Sequence, residues 1–551
     1  MSGRPRGTGP EELGFARQLA VRWLSPRQLV RAAVSVGLAD IFGVYADKRE
    51  LQQGGVFTQG TFAHDRADEL WLDYVSDLGD GFDATYSVAS LVAPDKLDVE
   101  GASGMLPRGE VLVLGGDEVY PVASAWAYEE RTTRVYEAAL PETDGERPTL
   151  YAIPGNHDWY DGLTAFLRVF AQDDTIGAWR TAQRRSYFAL RLPQRWWLLG
   201  VDIQLDTYID APQLEYFREV AAAIRPGDGI ILCTAKPCWY EAARGDYGSH
   251  RRLGYFAEKV LGEHRHGIRL VLTGDAHHYA RYTRPETGQT LLTSGIGGAY
   301  TSATHLLDPR ITIPPLARPD GEDTTPVSYD LAEDTWPTRA ESRRLAWTVF
   351  RLPFRNPGFW ALLGGVQTAF VTTVLTGTAL WPMLIALLMV AGAVAFAKPV
   401  RSGLAAKLAY GLPHGLAQVA LGTGAAAACA AIGRGSPRWA QVAGAVPVVW
   451  LVGGFLAAQL VAAYLLLASA GRANVNELFA AQSLEGHKGF VRLHIGADGN
   501  LRVYPIGIRR VARRWHADPD GGPGDPWLRP EEPLAAEFVE PPFTITREPD
   551  R

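Results

Sequence analysis

Cysteine is scarce in this chain: three in 551 residues, Cys233, Cys238 and Cys429. Their spacing suits neither a zinc knuckle nor a disulfide framework, which excludes a stapled extracellular scaffold and fits a reducing compartment. An excess of one charge is also missing. Lys and Arg number 54 against 60 Asp and Glu, for a net charge of -6, so no global basic field recruits nucleic acid and none is expected as a partner. The amino-terminal stretch MSGRPRGTGPEELGFARQLAVRW has no continuous apolar core of the kind an export signal needs. Gly14 to Gly37, with Arg17, Arg22, Arg27 and Arg31 among Leu and Val, reads as an amphipathic helix that packs on the main domain or lies on a membrane surface.

Charge is absent locally as well. No charged residue occurs between Arg355 and Lys398, a span long enough for two bilayer crossings broken near Trp381-Pro382. Leu408 to Gly433 and Trp439 to Gly471 add two further apolar stretches, so the expectation is a four-helix transmembrane domain. Gly364, Gly365, Gly422, Gly424, Gly453 and Gly454 would let its helices approach closely. Arg339, Arg343, Arg344, Arg351 and Arg355 precede the first span, and Lys398, Arg401 and Lys407 fill the loop between the second and third. By the positive-inside rule both flanking regions are cytoplasmic, on a multi-pass protein of the cell membrane.

What is present lies between Leu51 and Trp336, where short apolar runs keep ending in polar turns. LWLDYVSDLGDGFD leads to Asp77, EVLVLGGDEVYP to Asp117 and Tyr120, and TLYAIPGNHDWYDG to Asn156, His157 and Asp158. GIILCTAKPCWY leads to Lys236, and IRLVLTGDAHHYARY to Asp275, His277 and His278. Taken singly, each polar group reads equally as a turn or cap residue. Taken together, carboxylate, phenol, amide and imidazole groups at the carboxyl ends of strands in an α/β sheet converge on one crevice, and such oxygen and nitrogen donors suit Mn, Fe or Zn.

These segments resemble the calcineurin-like metallophosphoesterase superfamily, and within it the purple-acid-phosphatase-like branch, whose pattern runs DxG, GDxxY, GNH(D/E), VxxH and GHxH. Asp77-Leu78-Gly79, Gly116-Asp117-Glu118-Val119-Tyr120 and Gly155-Asn156-His157-Asp158 match in order. The resemblance spans roughly Leu72 to Tyr282 and implies two mixed β-sheets flanked by helices. It assigns one metal to Asp77, the bridging Asp117, Tyr120 and His277. A second metal would use Asp117, Asn156 and two histidines, but this chain has Lys236 and Asp275 at those positions. Either Asp275 replaces an imidazole as a ligand while Lys236 bonds a phosphate oxygen, or the ammonium of Lys236 stands in for the second cation and pairs with Asp275. His278 and His250 are substitute ligands to consider. One or two Mn, Fe or Zn ions are thus expected, with His157 placed to contact the phosphate or protonate the leaving oxygen and Asp158 orienting its ring.

The implied function is hydrolysis of a phosphomonoester or phosphodiester by metal-activated hydroxide, with a lipid-linked phosphate among the candidate substrates and the bilayer as partner. The alternative is a membrane sensor that binds a phospho-ligand with little or no turnover. The expected organisation is an amino-terminal helical segment (1–50), a phosphoesterase domain (51–336), a basic juxtamembrane segment (337–356) and the transmembrane helices (357–471). A β-hairpin segment around Asp498-Gly499-Asn500 (472–515) would return to the phosphoesterase domain, ahead of a flexible Gly/Pro-rich tail (516–551).

Overall fold

The computed structural model describes residues 4–31, 60–142, 147–203, 208–316, 325–377, 379–400 and 403–547. The chain divides into two compact units, one α/β and discontinuous in sequence, the other helical.

In the α/β unit the strands that matter for the site are β1 (Leu70–Val75), β2 (Val111–Leu114), β3 (Thr149–Ala152), β4 (Gly229–Cys233), β5 (Ile268–Thr273), β6 (Lys488–Ile495) and β7 (Leu501–Ile508). β1, β2 and β3 are parallel neighbours in one sheet, and β4 and β5 are parallel neighbours in the other. Both sheets are nine-stranded or close to it and mix parallel with antiparallel pairs. The central strands are near-continuous apolar runs because both faces are covered. Leu72, Tyr74, Val111, Val113, Tyr151 and Ile153 of the first sheet pack against Leu198, Ile231, Leu270 and Leu272 of the second. Helices such as Phe82–Val92 cover the first sheet's opposite face, and Ala211–Ala223 that of the second. Two mixed sheets packed face to face and flanked by helices are the architecture the sequence resemblance implies.

β6 and β7 form a hairpin whose first strand pairs antiparallel with β1, from Val491 opposite Tyr74 to Ile495 opposite Leu70. The pairing is locked by a fully buried ion pair. Arg492 donates from Nε and Nη2 to the two oxygens of Asp73 at 2.6 and 2.9 Å, and from Nη1 to the carbonyl of Leu106 at 3.2 Å.

Two segments differ from expectation. The stretch expected as a flexible tail from 516 onward carries strands: Trp515–Ala517 pairs with Leu528–Pro530, and Phe543–Ile545 pairs with β7. Leu528 is buried beneath the hydroxyl of Tyr86, and Trp527 N donates to the carbonyl of Ala138. Burial of those side chains outweighs the Gly and Pro content. Nor is the helix expected over Gly14–Gly37 continuous. Residues 15–25 have no helix or strand, a helical run occupies 26–31, and 32–37 lie outside the described residues. Phe15 and Val21 are buried, and the backbone nitrogen of Val21 donates to Asp80 at 2.7 Å, so tertiary partners replace the helical ladder there.

The helical unit contains α1 (Pro357–Thr376), α2 (Leu380–Phe396), α3 (Leu404–Ile432) and α4 (Arg438–Ala470). Three of these, α1, α3 and α4, are long and apolar enough to cross a membrane, whereas α2 is a shorter apolar helix. The count of full-length spans is therefore three rather than the four expected, because the Leu380–Phe396 helix has 17 residues and gives way to extended backbone at Ala397. Trp381, Met383, Leu387 and Trp439 are each more than half exposed, a surface suited to lipid. Gly364 and Gly454 sit where a side chain would strike the facing helix, while Gly365 and Gly424 face open space.

Candidate metal centre

β1, β2 and β5 each run out into a turn whose site residue adopts the left-handed conformation. Asp77, Asp117, Asp275 and His277 have φ of 60°, 57°, 61° and 53°, a cost of roughly 1–3 kcal/mol each that only a constraining surround sustains. Two glycines make room for the turns. Gly116, at φ 108°, lies against Ala235 and Gly155, and a Cβ on Gly155 would collide with the carboxylate and backbone of Asp117.

Asp77, Asp117 and His277 bring ligand atoms within 4.8 Å of one another, all buried. The hydroxyl of Tyr120 sits among them, 3.1 Å from Asp77 Oδ1, 3.0 Å from Asp117 Oδ2 and 3.0 Å from His277 Nε2. Asp77 is aimed by Ser76 Oγ at 2.9 Å and by the backbone nitrogen of Asp275, which donates to both its oxygens at 3.0 and 2.9 Å. Asp117 accepts from His157 N at 2.9 Å. The amide of Asn156 lies 3.0 and 3.1 Å from the two Asp117 oxygens when its nitrogen faces them.

Electrostatically the centre is overloaded with negative charge. Burial, then the neighbouring Asp77, Asp158 and Asp275, push the Asp117 carboxyl well above its usual range. Asp275 is pushed up to about 6 by burial and Asp77, against a lowering influence from Lys236. A cation fits this donor set. Tyr120 has a single proton for two carboxylates and an imidazole, so the acceptors face one another with too few hydrogens between them. Asp77, Asp117, Tyr120 and His277 would hold the ion, and an Asn156 turned oxygen-inward would join Asp117 on a second.

His157 keeps its backbone against Asp117, and its ring Nδ1 donates to the carbonyl of Pro121 at 2.8 Å. Burial lowers its pKa to about 4. The ring is therefore neutral with Nε2 as the acceptor nitrogen. Asp158 does not orient this ring, contrary to expectation. One of its oxygens accepts from the backbone nitrogens of Asp117, Glu118 and Gly155 at 2.9, 3.3 and 2.8 Å, and the other from the Tyr128 hydroxyl. Convergent N–H donors claim the carboxylate, so Asp158 ties the β2 turn to the β3 turn.

Lys236, following β4, forms an ion pair with Glu241 at 2.8 Å. Asp275, the acid expected beside it, feels the charge of Lys236, which lowers its carboxyl's pKa, and also serves the centre through its backbone nitrogen. His278 hydrogen-bonds Tyr240 at 3.0 Å, and His250 is tied to the carbonyl of Pro314 at 2.8 Å; neither belongs to the Asp77–Asp117–His277 group. Sequence reasoning overlooked Glu118, fully buried, with its carboxyl pushed well above its usual range by burial and the neighbouring Asp158, and Tyr300, whose ring meets that of His277 edge-on at 4.3 Å. Glu118 lies inside the GDxxY segment and was legible there; Tyr300 carries no local signal.

Strand ends of two sheets that bring two aspartates, a tyrosine and a histidine together define a metallophosphoesterase domain. Residues 71–279 match the family described as calcineurin-like phosphoesterase. No curated protein matches the chain.

Proposed function

We propose that the chain is a membrane-anchored, metal-dependent phosphoric ester hydrolase. The observation that carries the reading is the meeting of Asp77, Asp117, Tyr120 and His277 at one buried point from separate strand ends. The tyrosine in this set favours the purple-acid-phosphatase-like branch. When bound, Mn, Fe or Zn in such a centre lowers the pKa of water and offsets charge on phosphoryl oxygens. The chain's own groups do the rest. Asp77 and Asp117 supply the anionic charge, and the Asp158 clamp fixes the turns that carry Asp117 and Asn156. His157, with Nε2 as acceptor, takes a hydrogen bond from a water or a hydrogen phosphate instead of giving a proton to the leaving group. Lys236, its ammonium steadied by Glu241, adds positive charge for the substrate.

The Lys236–Glu241 pair also favours a second reading. A site with Lys and Asp at the two positions where the family pattern has histidine binds a phospho-ligand but turns over slowly, as a sensor would. A panel of phosphomonoesters and phosphodiesters, assayed with Mn, Fe, Zn and Mg supplied separately, decides between them. Metal-stimulated turnover supports the hydrolase; phosphate binding without turnover on any ester refutes it.

We place the catalytic unit on the cytoplasmic side, from the Arg and Lys residues that flank the spans. β1 precedes the membrane segment and β6 follows it, yet they pair in one sheet. Strands of one sheet share one side of a bilayer, which supports an even number of crossings. Since α1, α3 and α4 have full length, α2 is the fourth, and local thinning accommodates its shorter run.

A further inference from the structure

Tyr160 borders the metal centre, and the hydrolytic reading leaves it unused. It lies in the short helical turn Asp158–Asp161 that follows Asn156 and His157 in the chain. Its ring meets the His157 ring edge-on at 5.2 Å and 85°, a contact that holds the ring in place. The residue is 48 % exposed, so it belongs to the rim of the site and not to the core.

The hydroxyl faces the centre. Burial, then the charges of Asp117 and Asp275, hold the phenol above its usual range, while a hydrogen bond with the side-chain amide of Asn156 acts the other way. The hydroxyl therefore keeps its proton at neutral pH. The charge of Lys236 acts on the same Asp275, so ammonium and hydroxyl share that neighbourhood. Among the described residues Asn156 is the one hydrogen-bond partner of the Tyr160 hydroxyl.

The Asn156 amide has two ends and two neighbours. One end lies 3.0 and 3.1 Å from the Asp117 oxygens and is satisfied there only as nitrogen; the other end meets Tyr160. With no cation between them, nitrogen goes to the carboxylate, the amide oxygen turns to Tyr160, and the phenolic proton is occupied by it. With a cation on Asp117 and Asn156 the amide turns over. Its nitrogen then donates to the phenolic oxygen, which frees the proton of Tyr160 for another acceptor.

We infer that Tyr160 donates a hydrogen bond to a phosphoryl oxygen of the substrate, and does so only while the Asn156 amide is turned oxygen-inward. A hydroxyl meeting an anionic oxygen makes one of the stronger hydrogen bonds, and Lys236 supplies the positive charge that a phenol lacks. Loading of the centre and grip on phosphate are thereby coupled through one amide. The inference rests on the proposed phosphate chemistry of the centre and extends it to a residue beyond the GNH(D/E) segment.

The test uses the full chain in detergent, with and without Mn, titrated with inorganic phosphate in a calorimeter. Tyr160→Phe keeps the ring that meets His157 and removes only the hydroxyl. In the Mn-loaded protein it should weaken phosphate binding about tenfold, as expected for loss of one hydrogen bond to an anion, with Mn content unchanged. Without Mn, wild type and Tyr160→Phe should bind phosphate equally weakly. On a water-soluble ester the variant should raise KM about tenfold and change kcat much less. Tyr255→Phe, at a similarly exposed tyrosine on the helix Gly248–Phe256, should alter none of these values. Equal phosphate affinity of Mn-loaded wild type and Tyr160→Phe overturns the inference, as does an equal loss without Mn. Loss of Mn from Tyr160→Phe also overturns it, by making the residue a ligand. Wild type that binds phosphate through Tyr160 but hydrolyses no ester refutes the hydrolase and leaves this inference standing; wild type that binds no phosphate with Mn refutes both.

Discussion

Replacing Arg492 by Leu should destabilise the α/β unit without touching the metal centre. Arg492 and Asp73 are 0 % and 1 % exposed, so the change strands a carboxylate in the core between β1 and β6. Breaking a buried pair from one side costs about 3–5 kcal/mol. Asp73 keeps one donor, the backbone nitrogen of Gly109 at 3.0 Å, which places the loss near the lower end, about 3 kcal/mol. Unfolding entropy scales with chain length, so a unit of several hundred residues should lose roughly 4 °C in Tm. The double variant Asp73→Leu/Arg492→Leu removes both charges and leaves only the Leu106 carbonyl and Gly109 nitrogen unpaired. It should cost less than the sum of the single losses by about 2 kcal/mol. Denaturant unfolding in detergent, followed by near-ultraviolet circular dichroism, measures the cycle. Single losses that add to within about 0.5 kcal/mol, or a Tm unchanged by Arg492→Leu, would refute the reasoning.

Asp117→Asn should remove bound metal and hydrolysis while the fold persists, checked by metal analysis beside circular dichroism. Lys236→His should leave metal content unchanged and raise KM for the ester, because Glu241 pairs with the ammonium; a rise from about one toward two ions per chain would instead make Lys236 a stand-in for a cation. Asp80, buried and bonded to Val21, is pushed up to about 6 from its usual 3.8, burial being the main cause. Its contribution to stability is complete below about pH 4 and lost as pH rises through 6, so Asp80→Asn should flatten the fall in stability across that window by up to about 3 kcal/mol in denaturant titrations. Reporter fusions after Arg355 and Lys407 should read cytoplasmic and those after Gly377 and Gly435 external; an external Arg355 fusion would reverse the orientation.

The strand ends of the centre were readable because each combines a local signal with local chemistry: an apolar run, a small-residue turn, then Asp77, Asp117 or His277. Their convergence followed from repetition along the chain. The role of Asp158 was not readable, since its partners are backbone nitrogens of a different turn, and backbone groups leave no trace in residue identity. The strands after Trp515 were hidden for a related reason. They are short, rich in Gly and Pro nearby, and take their partners from Tyr86, Ala138 and β7, far away in sequence. Periodicity reports a buried face only where an element is long enough to repeat it, as in β6 and β7.

The discontinuity of the α/β unit dictates an order of events during synthesis. β1 emerges from the ribosome early, but its neighbour β6 and the guanidinium that neutralises Asp73 arrive only after α1 to α4 have been made. Until then the half-built sheet has an open edge and a buried acid without its counter-charge, a state suited to waiting or to capture by a chaperone. A chain that fails to insert its helices correctly presents β6 on the wrong side of the bilayer or not at all. On the proposed topology, maturation of the candidate metal centre is thereby made conditional on membrane insertion, so the site is not assembled ahead of its anchor.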